Sequence, residues 1–163
     1  MDRTRQLLAR LEIEELNAEF AHLIDSGQSA AVADLFTETG SYGRATGERS
    51  VGRAAIRAAY QVRSDLGPRT ARHIFTNLRL VHIDETRIEG RLILTLFAAD
   101  GPPPHLAEPF LVADYDDVYV LGDDGRWRYE SRTVTWVFTH ASGKVSPLAL
   151  GVTPKSTGGA AGG

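Results

Sequence analysis

Asp25 and His73 are the two side chains whose types and positions in the sequence point to chemistry. His73 lies in an extended run, residues 70–77 with the sequence TARHIFTN, in which His73, Phe75 and Asn77 are expected to share one face. An imidazole on an inward face needs a partner that fixes its tautomer, and Asp25, at the end of a long amphipathic helix, can be that partner. If the Asp25 carboxylate holds Nδ1–H, then Nε2 is free to take a proton from a substrate carbon or oxygen.

A structural role for the same two residues is the alternative. A histidine in a strand is often a hydrogen-bonded core residue rather than a base. A carboxylate just before Ser26 and Gly27 is typical of a turn at a helix end. The two interpretations differ in what they expect: a catalytic pair meets in an open cavity, whereas a structural pair is covered by other side chains.

Tyr42 and Arg132 are candidates for the group that stabilises a developing negative charge. Tyr42 lies in a short extended segment between glycines. Arg132 is expected to face Asp117 across two neighbouring strands, close enough for an ion pair. The arginine then either only braces Asp117, or points its guanidinium into a cavity and holds a leaving group or a carbonyl oxygen.

Aromatic side chains are the candidates for contact with a ligand. A cavity walled by such rings favours an apolar ligand that itself contains a ring. For these aromatic residues the alternative is packing in the core, which for Tyr60 is favoured over catalysis. The candidate substrate-binding residues are Phe20, Tyr60, Phe75, Tyr115, Trp136 and Phe138.

Hydrophobic periodicity predicts three helices followed by a sheet. Apolar residues recur at helical spacing in residues 3–25, 28–36 and 52–63. A short strand is expected near residues 41–43, and from residue 71 the period changes to two, which predicts strands at 71–83, 87–98, 109–121 and 126–139. Polar and apolar residues change phase near Asn77, which indicates a β-bulge in the first of these four strands.

The composition excludes several classes of partner. The 163 residues suit one domain, expected at residues 1–142, followed by a C-terminal segment, residues 143–163, that either covers a pocket or forms a flexible tail. A net charge of -3 with the two signs intermixed argues against a nucleic-acid partner. No run approaches ~20 apolar residues, so no membrane partner and a cytoplasmic location are expected.

No metal and no other cofactor are expected. The chain has no cysteine, and its 5 histidines show no spacing that is typical of a metal site. One Asp with one His provides too few ligands for zinc or iron. The sequence also lacks a glycine loop of the kind that binds a nucleotide phosphate.

The order of the elements and three stretches of sequence resemble the SnoaL-like branch of the nuclear transport factor two-like superfamily. The stretches are FAHLIDSGQSAAVADLFTETGSY, ARHIFTN and DYDDVYVLGDDGRWRYESR, and the resemblance spans residues 7–139. It implies an α+β fold, a cone-shaped α+β barrel in which N-terminal helices pack on a curved antiparallel sheet. The branch hosts dehydratases, isomerases, cyclases, halide-eliminating lyases and non-catalytic binders, so the fold alone does not decide the function.

The resemblance also implies roles for single residues. Scytalone dehydratase, bile acid 7α-dehydratase and hexachlorocyclohexane dehydrochlorinase use an Asp–His dyad inside the cone, which falls here on Asp25 and His73. An arginine late in the sheet assists in some of these relatives, and it falls on Arg132. Phe20 stands where some relatives supply a tyrosine or lysine to the leaving group. The remaining candidate donors are Tyr42, Tyr115 and Arg132.

Residues and resemblance together predict a cofactor-independent lyase or isomerase, dehydratase-like or HX-eliminating, that acts on a small hydrophobic cyclic substrate. His73, oriented by Asp25, is the expected base. The alternative is a polyketide- or terpenoid-type cyclase, or a non-catalytic module of the same fold that binds small molecules. Because dyad-bearing relatives commonly form trimers through the outer face of the sheet, the resemblance also implies a homo-oligomer, a trimer ahead of a dimer.

Overall fold

The computed structural model describes residues 2–140. The predicted domain boundary at residue 142 and the C-terminal segment, residues 143–163, lie outside the described residues. Two α-helices, one 3₁₀ helix and six strands are found within them. In chain order these are α1 (Arg3–Asp25), the 3₁₀ helix (Ser29–Leu35), β1 (Phe36–Arg44), β2 (Arg49–Val51), α2 (Arg53–Asp65), β3 (Arg69–Ile83), β4 (Arg87–Asp100), β5 (Leu111–Leu121) and β6 (Trp127–Thr139).

The strands form one mixed sheet in the order β2-β1-β6-β5-β4-β3. Strands β3 to β6 are an antiparallel meander, as the period of two predicts. Strand β1, however, pairs with β6 in parallel, because the chain passes through α2 and the other strands before it returns beside β1. The predicted α+β class, with helices packed on a curved sheet, is confirmed. The expectation of a wholly antiparallel sheet is corrected to a mixed one.

Helix α1 begins where the side chain of Asp2 accepts a hydrogen bond from the backbone N–H of Arg5 at 2.8 Å. Its inward stripe includes Ile13 and Phe20, which are fully buried in the hydrophobic core. Gly27 follows the end of the helix in the left-handed region, with a φ of 82°. The bounds agree with the prediction for residues 3–25. None of the helices in residues 2–140 is both long and apolar enough to cross a membrane.

Two short elements differ from the prediction. The segment predicted as an α-helix at residues 28–36 is a 3₁₀ helix, and the strand expected near residues 41–43 extends over 9 residues. Strand β2 has no counterpart in the prediction, because 3 residues are too few for an alternating pattern to be visible. It lies so close to β1 that a Cβ at Gly43 would come within 2.9 Å of the Cα of Arg49, which explains the glycine.

Strand β3 carries the β-bulge that the sequence indicates at Asn77. Its register with β4 shifts between Thr76 and Arg79, and Asn77 has a φ of 56°, in the left-handed region. The face that His73, Phe75 and Asn77 were expected to share therefore ends at Phe75, and Asn77 is exposed. His73 lies on the regular part of the strand, opposite β4.

Every tyrosine of the chain is buried, and each has a raised pKa. The sequence contains 5 tyrosines, and none is more than 5% exposed. Burial raises the pKa of each of them above its ordinary value, because a phenolate would lose its hydration in the core. They are Tyr42, Tyr60, Tyr115, Tyr119 and Tyr129.

We predict that no tyrosine ionises near its ordinary pKa while the protein remains folded. Tyrosines of the unfolded chain ionise at a pH of about 10, so the free energy of unfolding should be unaffected below that pH and should fall above it. The slope should reach about 1.4 kcal/mol per pH unit for each tyrosine. The ultraviolet absorbance of tyrosinate should therefore appear in one step, together with the loss of circular dichroism.

The same chain in concentrated guanidinium chloride is the control for this titration, and its tyrosines should ionise at a pH of about 10. Gradual tyrosinate formation in a protein that keeps its native circular dichroism would contradict the prediction.

Candidate active site

Asp25 and His73 come together where the end of α1 meets the free edge of β3. Because β3 is the last strand of the sheet, some of its backbone N–H groups have no strand partner. The Asp25 carboxylate takes this place: Oδ2 accepts a hydrogen bond from the His73 backbone N–H at 2.9 Å, and Oδ1 lies 2.7 Å from Nδ1 of the His73 ring. We assign the ring proton to Nδ1, because an ionised carboxylate can only accept. One carboxylate thus fixes both the backbone and the ring of one residue.

His73 lines a cavity of about 320 Å³ between α2, β3 and β4. The side chains of His73 and Asp25 are 8% and 16% exposed, so the pair is shielded from bulk water and yet reaches the cavity wall. Within residues 2–140, Nε2 of His73 has no hydrogen-bond partner. Ala71 and Ala98 face each other across the β3–β4 ladder, and both line the cavity. Two small side chains at facing positions leave the space that a ligand would fill.

Tyr42 and Tyr60 also line this cavity. Their rings stack with centroids 5.7 Å apart. Burial raises the pKa of Tyr42, although the hydroxyls of Tyr60 and Tyr115 oppose part of this rise. Tyr42 therefore keeps its O–H in the folded protein and can donate a hydrogen bond or a proton to an oxygen in the cavity.

Arg132 lies behind this wall, in the interior of the protein. Its Nε donates to Oδ1 of Asp117 at 2.9 Å and its Nη2 to Oδ2 at 2.7 Å, so the pair is bidentate and fully buried. Nη2 also donates to the side-chain oxygen of Asn17. Aromatic rings surround the guanidinium carbon, with centroids between 4.2 and 4.5 Å away. These rings belong to Phe20, Tyr115 and Tyr129.

Of the two roles expected for Arg132, its contacts match the brace of Asp117. The arginine does not contribute to the lining of the cavity beside His73. Burial disfavours the charged guanidinium, but Asp117 and the neighbouring tyrosines together outweigh burial and hold the pKa of Arg132 well above its ordinary value. Arg132 is therefore a charged and paired group of the core.

The residues predicted to bind a substrate occupy different places. Tyr60 lines the cavity. Phe20 and Tyr115 are fully buried against the guanidinium of Arg132 and lie behind the cavity wall. Phe75 lines a second groove, of about 620 Å³, that runs between α1 and β3 and is also lined by His73.

Trp136 and Phe138, two of the predicted substrate-binding residues, lie on β6 away from this cavity. Trp136 pairs with Ala113, which is fully buried, whereas Phe138 pairs with Val112. The intervening Val137 is the extra residue of a β-bulge, which changes the phase of the strand. Phe138 is consequently 67% exposed, and Trp136 packs under the guanidinium of Arg44 at 3.8 Å. Neither residue lines the cavity of His73.

Three residues of this region were not singled out from the sequence. Asn17 interrupts the apolar stripe of α1, four residues after Ile13, and this polar residue at a core position was a visible signal. It is 4% exposed and donates to the backbone oxygen of Ile13 at 2.9 Å. Arg63 and Arg69 line the cavity, but charged residues at an element end have no distinctive pattern in the sequence.

No metal centre is found in the part of the chain that the structure describes. It contains no group of three or more His, Cys, Asp or Glu side chains that could hold a metal ion. The other His–carboxylate pair, His140 with Glu108 at 3.0 Å, lies at the surface.

Residues 5–133 match the family model of the SnoaL-like domain. The chain belongs to the SnoaL-like family. The resemblance drawn from the sequence is thereby confirmed, both for the branch and for the fold. No curated protein matches the chain.

Solved structures of other proteins share the fold of this SnoaL-like domain. A "Putative Scytalone Dehydratase" of Novosphingobium aromaticivorans superposes with a TM-score of 0.74 at 20% identity, over 85% of this chain and 91% of the other. ActVI-ORFA of Streptomyces coelicolor has a TM-score of 0.67 at 24% identity, over 78% of this chain and 97% of the other. An NTF2-like protein with a cystatin-like fold, also of N. aromaticivorans, has a TM-score of 0.66 at 23% identity, over 86% and 89% of the two chains.

The buried ion pair generates a prediction about the stability of this SnoaL-like domain. Asp117→Asn or Arg132→Met leaves one member of the pair buried without its partner, which should lower the free energy of unfolding by about 3–5 kcal/mol. Urea denaturation measures the loss. The double variant Arg132→Met with Asp117→Asn should lose less than the sum of the two single variants, because no charged group is then left buried without its partner.

The matched control is Arg91→Gln, which breaks the exposed pair of Arg91 with Asp116 on the sheet. This variant should unfold at the wild-type urea concentration, because exposed pairs are screened by solvent. Wild-type stability of both single core variants would contradict the role given to the buried pair.

Proposed function

We propose that this protein is a cofactor-independent lyase or isomerase that removes a proton from a small hydrophobic cyclic substrate. The observation that carries the proposal is the position of His73, whose ring is held by Asp25 at 2.7 Å and which lines a cavity of about 320 Å³. A pair with a purely structural role is expected to be covered by other side chains. The Asp25–His73 pair instead borders a space large enough for a ligand with a ring.

In the proposed reaction Nε2 of His73 takes a proton from a carbon next to an activating group. The electrons of the broken C–H bond form a double bond, either by expelling a leaving group or by moving onto a carbonyl oxygen. Asp25 stabilises the imidazolium that forms, because its carboxylate already accepts the hydrogen bond from Nδ1. Tyr42 donates to the leaving group or to the enolate oxygen, since burial keeps its hydroxyl protonated.

The base alone supplies only part of such a rate enhancement. A positioned general base contributes about 10²–10⁴-fold. The rest must come from holding the ring in the apolar wall and from the exclusion of water. Two observations support these contributions. His73 and Asp25 are little exposed to water, and the cavity wall includes the apolar side chains of Leu96, Ala71 and Ala98.

We predict that the protein catalyses the exchange of α-protons of a cyclic ketone in D₂O, with 1-tetralone as the probe. Exchange requires only a base and a site for the ring, so it tests the proposed step without the natural substrate. His73→Ala should lose the protein-dependent rate, and Asp25→Asn should lose about 10²-fold or more, because an amide cannot stabilise the imidazolium. Proton nuclear magnetic resonance in a buffer with a chelator measures the exchange.

The matched control is His22→Ala, which removes an exposed imidazole from the same helix as Asp25 and should keep the wild-type rate. Circular dichroism shows whether each variant is folded. If His73→Ala exchanged the probe as fast as the wild type, the pair would be structural, and a binding module or a cyclase scaffold would be the better assignment.

We also propose that the domain forms a homo-oligomer, a trimer ahead of a dimer, through the outer face of the sheet. Val137 and Phe138 near the end of β6 are 49% and 67% exposed, and neighbouring exposed apolar side chains that form a patch can mark a protein–protein contact. Light scattering at micromolar concentration should give a multiple of 17.7 kDa, and Phe138→Ser should shift the distribution towards smaller species.

The control is Leu106→Ser, in the loop before β5. Leu106 is 84% exposed, and its replacement should not change the oligomeric state. A monomeric wild type would overturn this proposal.

A further inference from the structure

Two arginines stand at the rim of the cavity that holds His73. Arg63 lies in the last turn of α2, Arg69 begins β3, and both line the cavity. Their side chains are only 13% and 19% exposed, so both guanidinium groups are largely withdrawn from water. Two like charges in such a position are unfavourable unless anions balance them. We call Arg63 and Arg69 the arginine rim.

Within residues 2–140, one carboxylate forms ion pairs with the two guanidinium groups. Asp100 lies 3.0 Å from Arg63 and 3.9 Å from Arg69, and its own side chain is 82% exposed. Burial lowers the pKa of Arg69 and the charge of Arg63 lowers it further, with Asp100 opposing both effects. Residues 141–163 contain no Asp or Glu, so the remainder of the chain adds no side-chain carboxylate.

The cavity wall does not balance the positive charge of Arg63 and Arg69. Within the described part of the chain, no Asp or Glu lines the cavity. The carboxylate of Asp25 directs its two oxygens at His73 and forms no ion pair with either arginine in the described residues. Arg69 forms no side-chain hydrogen bond within residues 2–140, and its guanidinium lies over the ring of Phe110 at 5.2 Å. Its donors are therefore available to a ligand.

We propose that the arginine rim binds the carboxylate of a ring-containing substrate whose reacting carbon lies beside His73. Only the placement of the reacting carbon rests on the proposed function. Arg69 and His73 share one face of β3, and four residues at about 3.3 Å each place their Cα atoms roughly 13 Å apart. A two-ring acid can span this distance with its rings against the apolar wall. Its planar carboxylate matches the fork geometry of a guanidinium.

The test compares two ligands of the same shape and different charge, 2-naphthoate and 2-naphthamide, by isothermal titration calorimetry. The wild type should bind the acid at least about tenfold more tightly than the amide, and added salt should reduce the difference. Arg63→Gln and Arg69→Gln should each weaken binding of the acid by about tenfold and leave binding of the amide unchanged. Asp100→Asn should strengthen binding of the acid, because it removes the carboxylate that competes for the two arginines.

The matched control is Arg57→Gln. Arg57 lies in the same helix as Arg63, but the guanidinium of Arg57 pairs with Asp34 outside the cavity. This variant should bind both ligands as the wild type does. Equal affinity for acid and amide, equal weakening of both ligands by the arginine variants, or no binding of either at millimolar concentration would each overturn the inference. Binding of the acid is measured without turnover. A result that overturns the carboxylate site therefore leaves the assignment of His73 as a base intact, and a result that overturns the base leaves the carboxylate site intact.

Discussion

A guanidinium enclosed in an apolar core must be paired, and the interior of this domain is arranged around that requirement. The charge of Arg132 is met by both oxygens of Asp117, and the side-chain oxygen of Asn17 accepts a further hydrogen bond from the same guanidinium. Tyr119 donates to Asp117 at 2.6 Å, and Tyr129 donates to Asn17 at 3.0 Å, so the carboxylate and the amide are bonded as well. Helix α1 and strands β5 and β6 all contribute to this network, which joins the helix to the sheet at a defined point.

That point determines where the candidate base is held. Asn17 and Asp25 are both in α1 and eight residues apart, about 12 Å along the helix at about 1.5 Å per residue. Because the core network fixes Asn17 against β5 and β6, it also fixes the rotation of α1 about its axis and the position of its C-terminal end along that axis. Asp25 then reaches the edge of β3, where its carboxylate binds the backbone and the ring of His73. The precise position of the Asp25–His73 pair thus depends on polar contacts in the core.

Much of this arrangement could be predicted from the sequence, where a long periodic pattern or a direct register carries the information. The bounds of α1, the meander, the bulge at Asn77 and the pairing of Arg132 with Asp117 follow from such patterns. Two features of the structure were not predicted, because the sequence pattern does not contain them. The bulge at Val137 reverses the face of Phe138, and the parallel pairing of β6 with β1 makes the sheet mixed. Both features are set by contacts between distant segments of the chain.

The same physics separates the two kinds of arginine in the molecule. The charge of Arg132 is balanced inside the protein by the buried carboxylate of Asp117. Arg63 and Arg69 share one exposed carboxylate at the cavity rim, so part of their charge remains unbalanced and faces the space that a ligand would enter. In a low-dielectric cavity an unbalanced charge has a stronger effect on ligand affinity than a balanced one. An arginine thus serves the fold in one place, and in the other it carries charge that is open to the cavity.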